Sequence, residues 1–342
     1  MNLRNRISLC AATIILFGSL ATAPASYTLI WTWGMNDHPE WCEAFKKAGF
    51  NSLVTAIPRK VMTERWWLNS ASLATTDAVL AEAARTQMRA YFQIPLGMGP
   101  GTQIGRRTVT AAGFTEPLLA CPLNQEFWDD YLIPAVMTIA RKSLDHPALK
   151  GVILDTEQYY GKERSGAINE HYCFCDTCFG GFLKKIGTKE SLPVAAGRKP
   201  WLEAAGKEAD YWKYLETCAQ KQVDKLVDAI KDITPNFEIH FYIYQPTWYY
   251  RGLLKGLARL GHPVLVCDER SYSGFLKGWS QEARAGVLEL NPKAVWSPGF
   301  YTTALSPRMM RANVRKALET VGSYWIYNNT VPFPPDQLKA LE

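Results

Sequence analysis

The sequence predicts an α/β fold of the (β/α)8-barrel class, built as a single domain. Eight short runs rich in β-branched and aromatic residues alternate with stretches of helical periodicity. No linker rich in proline, glycine or serine divides this alternation. Two connections are long, residues 95–124 after the third strand and residues 158–208 after the fourth. Both follow strand ends on the face where barrel enzymes carry their active sites.

The expected elements follow one another from the start of the barrel to its end. The strands are residues 28–33, 52–57, 89–94, 151–155, 238–244, 263–267, 294–297 and 324–327. The helices are residues 39–48, 76–87, 125–144, 209–233, 249–260, 276–290 and 307–321. A doubly wound open sheet is the alternative, and it is disfavoured because no strand leads into a G-x-G-x-x-G turn and a helix.

The first 25 residues have the order of a secretory signal peptide. Arg4 and Arg6 precede an apolar stretch over residues 7–20, and small residues follow with a cleavage site expected at residues 23–25. The apolar stretch is shorter than a spanning helix needs, which disfavours an uncleaved membrane anchor. We therefore expect a signal peptide at 1–25, a barrel domain at 26–342, a secreted or periplasmic location, and no stable membrane insertion after cleavage.

Charge gives no indication of a nucleic-acid partner. The chain carries a formal charge of +6, and without residues 1–25 it has 36 basic and 32 acidic residues, a charge of +4. This excess is spread along the chain without a basic run. No motif indicates an organic cofactor.

Two carboxylates end the predicted fourth strand. Alternation places Ile153, Asp155 and Glu157 on one face, so both acids point into the barrel mouth if the other face packs on the helices. Two like charges in an enclosed site raise the pKa of one of them, which suits general acid catalysis on a glycosidic oxygen. The alternative is structural, with Asp155 capping a loop and Glu157 paired to a cation such as Lys162 or Arg164.

The segment Asp155-Thr156-Glu157 resembles the end of the D-x-x-D-x-D-x-E signature of family 18 chitinases. That resemblance implies that Glu157 is the acid. It also implies that Asp155 orients an acetamido group of the substrate, which then acts as the nucleophile. Ile153 stands where the signature has an earlier Asp.

A group of cysteines lies in the second long connection. Cys173, Cys175 and Cys178 form a C-x-C-x-x-C pattern that suits a tetrahedral zinc site with one further ligand. One disulfide plus a free thiol is the alternative in an oxidising compartment. His171 is one candidate for the further ligand.

The cysteine spacing, with the Glu157 strand before it and the aromatic stretch 179–187 after it, resembles glycoside hydrolase family 42 over roughly residues 120–187. The resemblance implies a barrel hydrolase with a structural zinc, Cys121 as the fourth ligand and Glu157 as acid/base. Thr156 stands where that family has Asn. The seventh strand, residues 296–300 included, has no carboxylate for its nucleophile. We therefore carry over neither the nucleophile nor galactosidase activity.

A second acidic pair, Asp268 and Glu269, ends the sixth strand. Either acid is a candidate nucleophile, base or stabiliser, and a salt bridge with Arg270 is an equally good explanation for one of them. Which acid faces inward depends on a one-residue register.

Aromatic and amide side chains crowd the strand ends, as binding of sugar rings and hydroxyls requires. The substrate-binding candidates are Trp31, Trp33, Gln93, Tyr242, Tyr244, Gln245, Trp296, Tyr327 and Asn328. Many of these aromatic rings will be core residues when taken one by one, so it is the whole group of side chains that indicates sugar binding.

These features together predict an exported glycoside hydrolase with Glu157 as general acid and a carbohydrate as its partner. A carbohydrate-binding barrel without catalysis is the alternative. For the mechanism, the Asp155 and Glu157 pair is preferred over a second carboxylate from Asp268 or Glu269.

Overall fold

The barrel closes as the sequence predicts. The computed structural model describes residues 26–57, 65–96, 105–156, 173–243, 247–274 and 281–342. Eight parallel strands pair in the order β1-β10-β9-β8-β7-β6-β3-β2, and β1 pairs with both β2 and β10. They are β1 (Thr28–Thr32), β2 (Ser52–Thr55), β3 (Arg89–Pro95), β6 (Leu149–Asp155), β7 (Glu238–Ile243), β8 (Leu265–Asp268), β9 (Val295–Tyr301) and β10 (Tyr324–Asn328). The proposed signal peptide lies outside the described residues.

Helices surround this barrel. They are α1 (Trp41–Lys47), α2 (Ser70–Ala74), α3 (Asp77–Arg85), α4 (Ile133–Asp145), α5 (Asp176–Ile186), α6 (Arg198–Ala204), α7 (Glu208–Lys231), α8 (Trp248–Leu257), α9 (Gln281–Leu290), α10 (Pro307–Val321) and α11 (Pro335–Leu341). A π-helical stretch, Phe127–Leu132, leads into α4. No helix among the described residues is long and apolar enough to cross a membrane.

The two long connections contain structure that the sequence analysis treated as loops. An antiparallel hairpin, β4 (Arg107–Val109) and β5 (Thr115–Ala120), lies in the first, and α5 and α6 lie in the second. The hairpin strands and α6 are too short to show a clear period, which is why pattern reading missed them. These additions bring the cysteines together, as described below.

Side chains of the strands divide into two cores. The outer face of the strands packs against the helices through residues such as Leu53, Phe92 and Val152. The inner face fills the barrel with a separate cluster: Tyr27, Leu29, Val54, Tyr91, Ile153, Tyr242, Leu265, Cys267, Val295 and Trp325. Alternation along the strands, interrupted by a register shift at the start of β6, therefore decides which residues belong to the barrel interior.

Helices α7 and α8 approach each other closely because two glycines face α7. A Cβ on Gly252 would lie 2.6 Å from the Cβ of Ala219, and a Cβ on Gly256 would lie 2.6 Å from Cγ1 of Val223. Neither distance is tolerable for real side chains. Because neither position has a side chain, α8 can pack closely against α7.

A buried polar cluster closes the amino-terminal end of the barrel. The Glu238 carboxylate accepts hydrogen bonds from Tyr91 Oη at 2.8 Å, His240 Nε2 at 3.0 Å and Tyr27 Oη at 3.1 Å. The backbone N–H of Leu265 donates to His240 Nδ1 at 3.0 Å, which leaves the proton of a neutral imidazole on Nε2. Burial lowers the pKa of His240, in agreement with the neutral ring. The cluster is on the face opposite to the predicted active site.

Candidate active site and metal centre

The inner face of β6 ends in a buried carboxylate. Asp155 is 4% exposed and follows Ile153 of the barrel interior by alternation. Gln93 on the neighbouring strand β3 donates from Nε2 to Asp155 Oδ2 at 2.7 Å. The structure thus brings two of the predicted site residues into contact. Glu157 lies outside the described residues, as do Tyr244 and Gln245.

The residue after Asp155 turns to the other side of the strand. The Thr156 hydroxyl donates to the carbonyl of Tyr242 at 2.8 Å and lies 3.0 Å from the Tyr250 hydroxyl. Thr156 therefore ties the end of β6 to β7 and α8. It does not face the mouth, so it acts on the candidate site through the backbone position of its neighbours.

The two acids after β8 have different surroundings. Asp268 follows the outward Val266, is fully buried, and accepts hydrogen bonds from the backbone N–H and the Nε of Arg270, both at 3.0 Å. Burial raises the pKa of Asp268, although the Arg270 contacts oppose that rise. Glu269 is 5% exposed and follows the inward Cys267. The fixed contact with Arg270 argues against Asp268 as a catalytic group, whereas Glu269 begins the 3-10 turn, Glu269–Ser271, that follows β8.

An aromatic cluster lies above the barrel interior at the carboxyl end of the strands. The Trp31 ring stacks on Tyr327 with centroids 4.5 Å apart and on Tyr242 at 5.6 Å. Tyr327 stacks on Tyr301 at 5.2 Å, and the Trp33 Nε1 donates to the Tyr327 hydroxyl at 3.1 Å. Trp33 is 37% exposed, whereas the rings beneath it are largely covered. Trp33 and the upper edges of its neighbours thus form the part of the cluster that meets solvent.

Tyr272 belongs to the same cluster and was not predicted from the sequence. Its ring lies 5.4 Å from Trp325 and 5.9 Å from Tyr327. It follows a 3-10 turn, Glu269–Ser271, after β8. The turn redirects the chain beyond the strand, so the period-two pattern gave no indication of where this side chain points.

Two of the predicted substrate-binding residues lie elsewhere. Trp296 packs in the outer core with the Arg270 guanidinium 5.4 Å from its ring centroid. Asn328 is fully buried, accepts from Thr302 at 2.7 Å and donates to Thr32 at 2.8 Å. Both sit on the face of their strand that points away from the barrel interior. The structure therefore does not bring these two predicted residues together with the aromatic cluster.

The seventh barrel strand, β9, has no room for a carboxylate at its inner-face glycine. A Cβ on Gly299 would lie 2.5 Å from Cε2 of Trp325, whose ring covers the glycine. The neighbouring inner positions are Ser297 and Tyr301. The lack of an acid along β9 is therefore built into the packing of the aromatic cluster.

Four cysteines from two distant parts of the chain meet in one buried cluster. Their sulfur atoms all lie within 4.8 Å of one another, and the cluster consists of Cys121, Cys173, Cys175 and Cys178. The Sγ of Cys121 is 3.6 Å from that of Cys178 and 3.9 Å from that of Cys175. A disulfide requires about 2.05 Å. A tetrahedron of sulfurs about 2.3 Å from a metal ion has edges of about 3.8 Å, so the donor set and its spacing fit a tetrahedral metal site.

Local structure explains how the four thiols meet. Cys121 directly follows β5, and Cys175 and Cys178 lie at the start of α5, where Cys175 is the N-cap residue. The Tyr211 hydroxyl of α7 donates to the Cys173 carbonyl at 2.6 Å. Hydrogen bonds from Cys121, Cys173 and Cys178 hold the pKa of Cys175 far below its usual range, whereas hydrogen bonds within the cluster raise the pKa values of Cys121 and Cys178. These four residues could hold a metal ion.

The sequence matches no protein-family profile, and no curated protein is detectably similar to it. Solved structures do share its fold. The catalytic domain of a β-amylase from Paenibacillus polymyxa has a TM-score of 0.54 at 10% identity, over 88% of this chain and 92% of that one.

Two β-galactosidases are similar over part of their length. The enzyme from Marinomonas ef1 has a TM-score of 0.58 at 11% identity, over 91% of this chain and 55% of that one. The enzyme from Bacillus circulans sp. alkalophilus has a TM-score of 0.54 at 14% identity, over 89% of this chain and 50% of that one. This chain thus spans about half the length of these two enzymes. At these identities the likeness shows a common fold, the closed (β/α)8 barrel.

Proposed function

We propose that this protein is an exported glycoside hydrolase that cleaves an oligo- or polysaccharide. The observation that carries the proposal is Asp155, a buried carboxylate held by Gln93 at the carboxyl end of a barrel strand, together with the aromatic cluster in the same barrel. Acids at this end of a barrel strand suit catalysis, and rings with polar edges suit sugars. The fold neighbours named above agree with this class of reaction.

In the proposed reaction, Glu157 is the general acid. Its proton passes to the glycosidic oxygen as the bond to the anomeric carbon breaks, so the leaving group departs as a neutral alcohol. Asp155 is its stabilising partner and orients the group that attacks the anomeric carbon. Gln93 supports this role because its amide holds Asp155 Oδ2 in place.

Two sources of the nucleophile are compatible with this arrangement. In the preferred one, the 2-acetamido group of the substrate attacks, and Asp155 orients it. In the other, Glu269, which follows β8, either attacks the anomeric carbon directly or activates a water molecule that attacks it. A side chain at Gly299 would collide with the Trp325 ring. This packing favours either of these two nucleophiles over one carried by β9.

The test compares wild type with Glu157→Gln on two kinds of substrate. On unactivated oligosaccharides we expect a loss of about 10²- to 10⁴-fold in kcat. On aryl glycosides with acidic leaving groups the loss should be smaller, because these depart without a proton. Glu319→Gln, at an exposed site on α10, is the matched control and should retain wild-type rates. Equal rates for wild type and Glu157→Gln on all substrates would exclude Glu157 as the acid.

The nucleophile is tested separately. Turnover restricted to 2-acetamido sugars, with Glu269→Gln active, supports the assisted mechanism. Turnover of sugars without the acetamido group, lost in Glu269→Gln, supports Glu269 instead.

A carbohydrate-binding barrel without catalysis is the second candidate. The observation that favours it is the acid-free inner face of β9, where family 42 enzymes carry their nucleophile. Sugar binding by calorimetry, with no turnover of a broad panel of glycosides by wild type, would establish this alternative.

We also propose that the cysteine cluster binds one structural zinc ion. The four buried thiols at tetrahedral spacing support zinc, and all four positions are protein ligands, which leaves no open coordination site for catalysis. Metal analysis should give one zinc per chain. Disulfides among these cysteines in mass spectra, with no zinc, would refute the proposal.

A further inference from the structure

One basic residue lies beside the cysteine cluster and has an unused donor. Arg106 directly precedes β4, and Cys121 directly follows β5. Arg107 pairs with Ala120 in the hairpin, and the Cys121 N–H donates to the Arg106 carbonyl at 2.7 Å. The antiparallel register thus holds Arg106 against the first cysteine of the cluster.

The guanidinium of Arg106 is only partly satisfied by the surrounding protein. Its Nη2 donates to the Leu123 carbonyl at 3.2 Å. Its Nη1 is buried and has no hydrogen-bond partner among the described residues. Burial lowers the pKa of Arg106, but the attraction of all four cysteines outweighs burial and raises it overall. Arg106 is thus a positively charged residue whose backbone is hydrogen-bonded to Cys121 and whose side chain has a buried donor.

The charge of a tetrathiolate metal site calls for such a neighbour. Four thiolates around a divalent ion carry a net charge of −2, and leaving that charge buried is unfavourable. The other buried cation nearby, Arg198, already donates to the Phe174 carbonyl, the Pro193 carbonyl and Asp176. Arg106, by contrast, donates only to the Leu123 carbonyl through Nη2, and its buried Nη1 has no hydrogen-bond partner in the described part of the chain.

We propose that Arg106 is a positioning residue of the metal centre. Its positive charge offsets the excess negative charge of the four thiolates. The inference rests on the proposed metal site and adds a residue that increases metal affinity without being a ligand, as outer partners of metal sites do.

The test measures metal affinity of the full chain, reduced and stripped of metal, by titration with Zn²⁺ against a chromophoric chelator. Arg106→Gln should lower zinc affinity by about 10- to 100-fold. Titration with Co²⁺ should give the same thiolate-to-cobalt absorption in this variant as in wild type, because all four ligands remain. Arg141→Gln, at an exposed site on α4, is the matched control that removes a positive charge away from the cysteines, and it should bind zinc like wild type.

Arg106→Lys provides a second measurement, which also decides the matter if the Gln variant does not fold. It keeps the charge but lacks the planar guanidinium that donates to the Leu123 carbonyl. We expect its zinc affinity to lie between those of Arg106→Gln and wild type. Wild-type affinity in both variants would overturn the role of Arg106 and leave the zinc site standing. Failure of wild type to bind Zn²⁺ and Co²⁺ through thiolates would overturn the zinc site and this inference together.

Discussion

The buried Glu238 at the amino-terminal end of the barrel should make the protein sensitive to acid. Burial by itself raises the pKa of Glu238, but hydrogen bonds from His240 and Tyr91 and the positive charge of Arg89 outweigh it and lower the pKa from 4.5 to about 2. Because the folded state binds the proton more weakly than the unfolded state, this carboxylate stabilises the fold above pH 4.5. The contribution is lost as pH falls from 4.5 towards 2.

The magnitude follows from the shift. A change from 4.5 to about 2 corresponds to about 3 kcal/mol at 1.36 kcal/mol per unit. The Glu238 side chain is 19% exposed, so solvent screening removes little of this. The lowered pKa of His240 acts in the same direction at higher pH, because the unfolded histidine gains its proton below about 6.5.

The perturbation is Glu238→Gln, and the assay is urea unfolding of both proteins between pH 7 and pH 2. We expect wild type to be the more stable protein at pH 6, and the difference to shrink by about 3 kcal/mol by pH 2. Glu319→Gln, at an exposed site on α10, should give a pH profile parallel to that of wild type. A constant difference between wild type and Glu238→Gln across this range would refute the assignment.

Three further predictions concern packing, the ion pair after β8 and the metal. Gly299→Ala forces a methyl group against Trp325 and should lower the free energy of unfolding, measured in urea, by about 1–3 kcal/mol. In the control Gly286→Ala on α9, the new methyl group meets no atom within 4 Å, so the substitution should be neutral or stabilising. Asp268→Asn leaves the Arg270 charge without its partner and should lower the melting temperature, yet spare kcat because Asp268 faces away from the barrel interior. An unchanged melting temperature, or a collapse of kcat in folded protein, would contradict this. Removal of zinc by a chelator should expose the four thiols to a thiol reagent and speed proteolysis between residues 105 and 186, and unchanged thiol reactivity would speak against a structural metal.

Much of the barrel could be predicted because strands and helices have different periods. All eight predicted strands are present, and their ends shift by only a few residues. The hairpin β4–β5 and the short helix α6 were missed because neither is long enough to repeat its pattern. Alternation also predicted that Asp155 would share the inner face with Ile153, because its orientation depends only on position along one continuous strand.

Whether a side chain points into or out of the barrel was harder to predict at the ends of the strands. Trp296 and Asn328 have the composition of sugar-binding residues, but each lies one position away from an inward residue and so points outward. Composition carries no information about this parity, and only pairing with neighbouring strands decides it.

The cysteines show most clearly what sequence and tertiary structure each determined. The C-x-C-x-x-C spacing by itself predicted a metal-binding group, because three soft ligands within six residues can reach one ion. The spacing could not identify the ligand that completes the tetrahedron, and Cys121 entered only through a family resemblance. Cys121 and Cys173 are 52 residues apart in the chain. They meet because the end of the hairpin β4–β5 lies beside the start of α5. A contact between such distant segments depends on how whole elements pack, which no local pattern encodes.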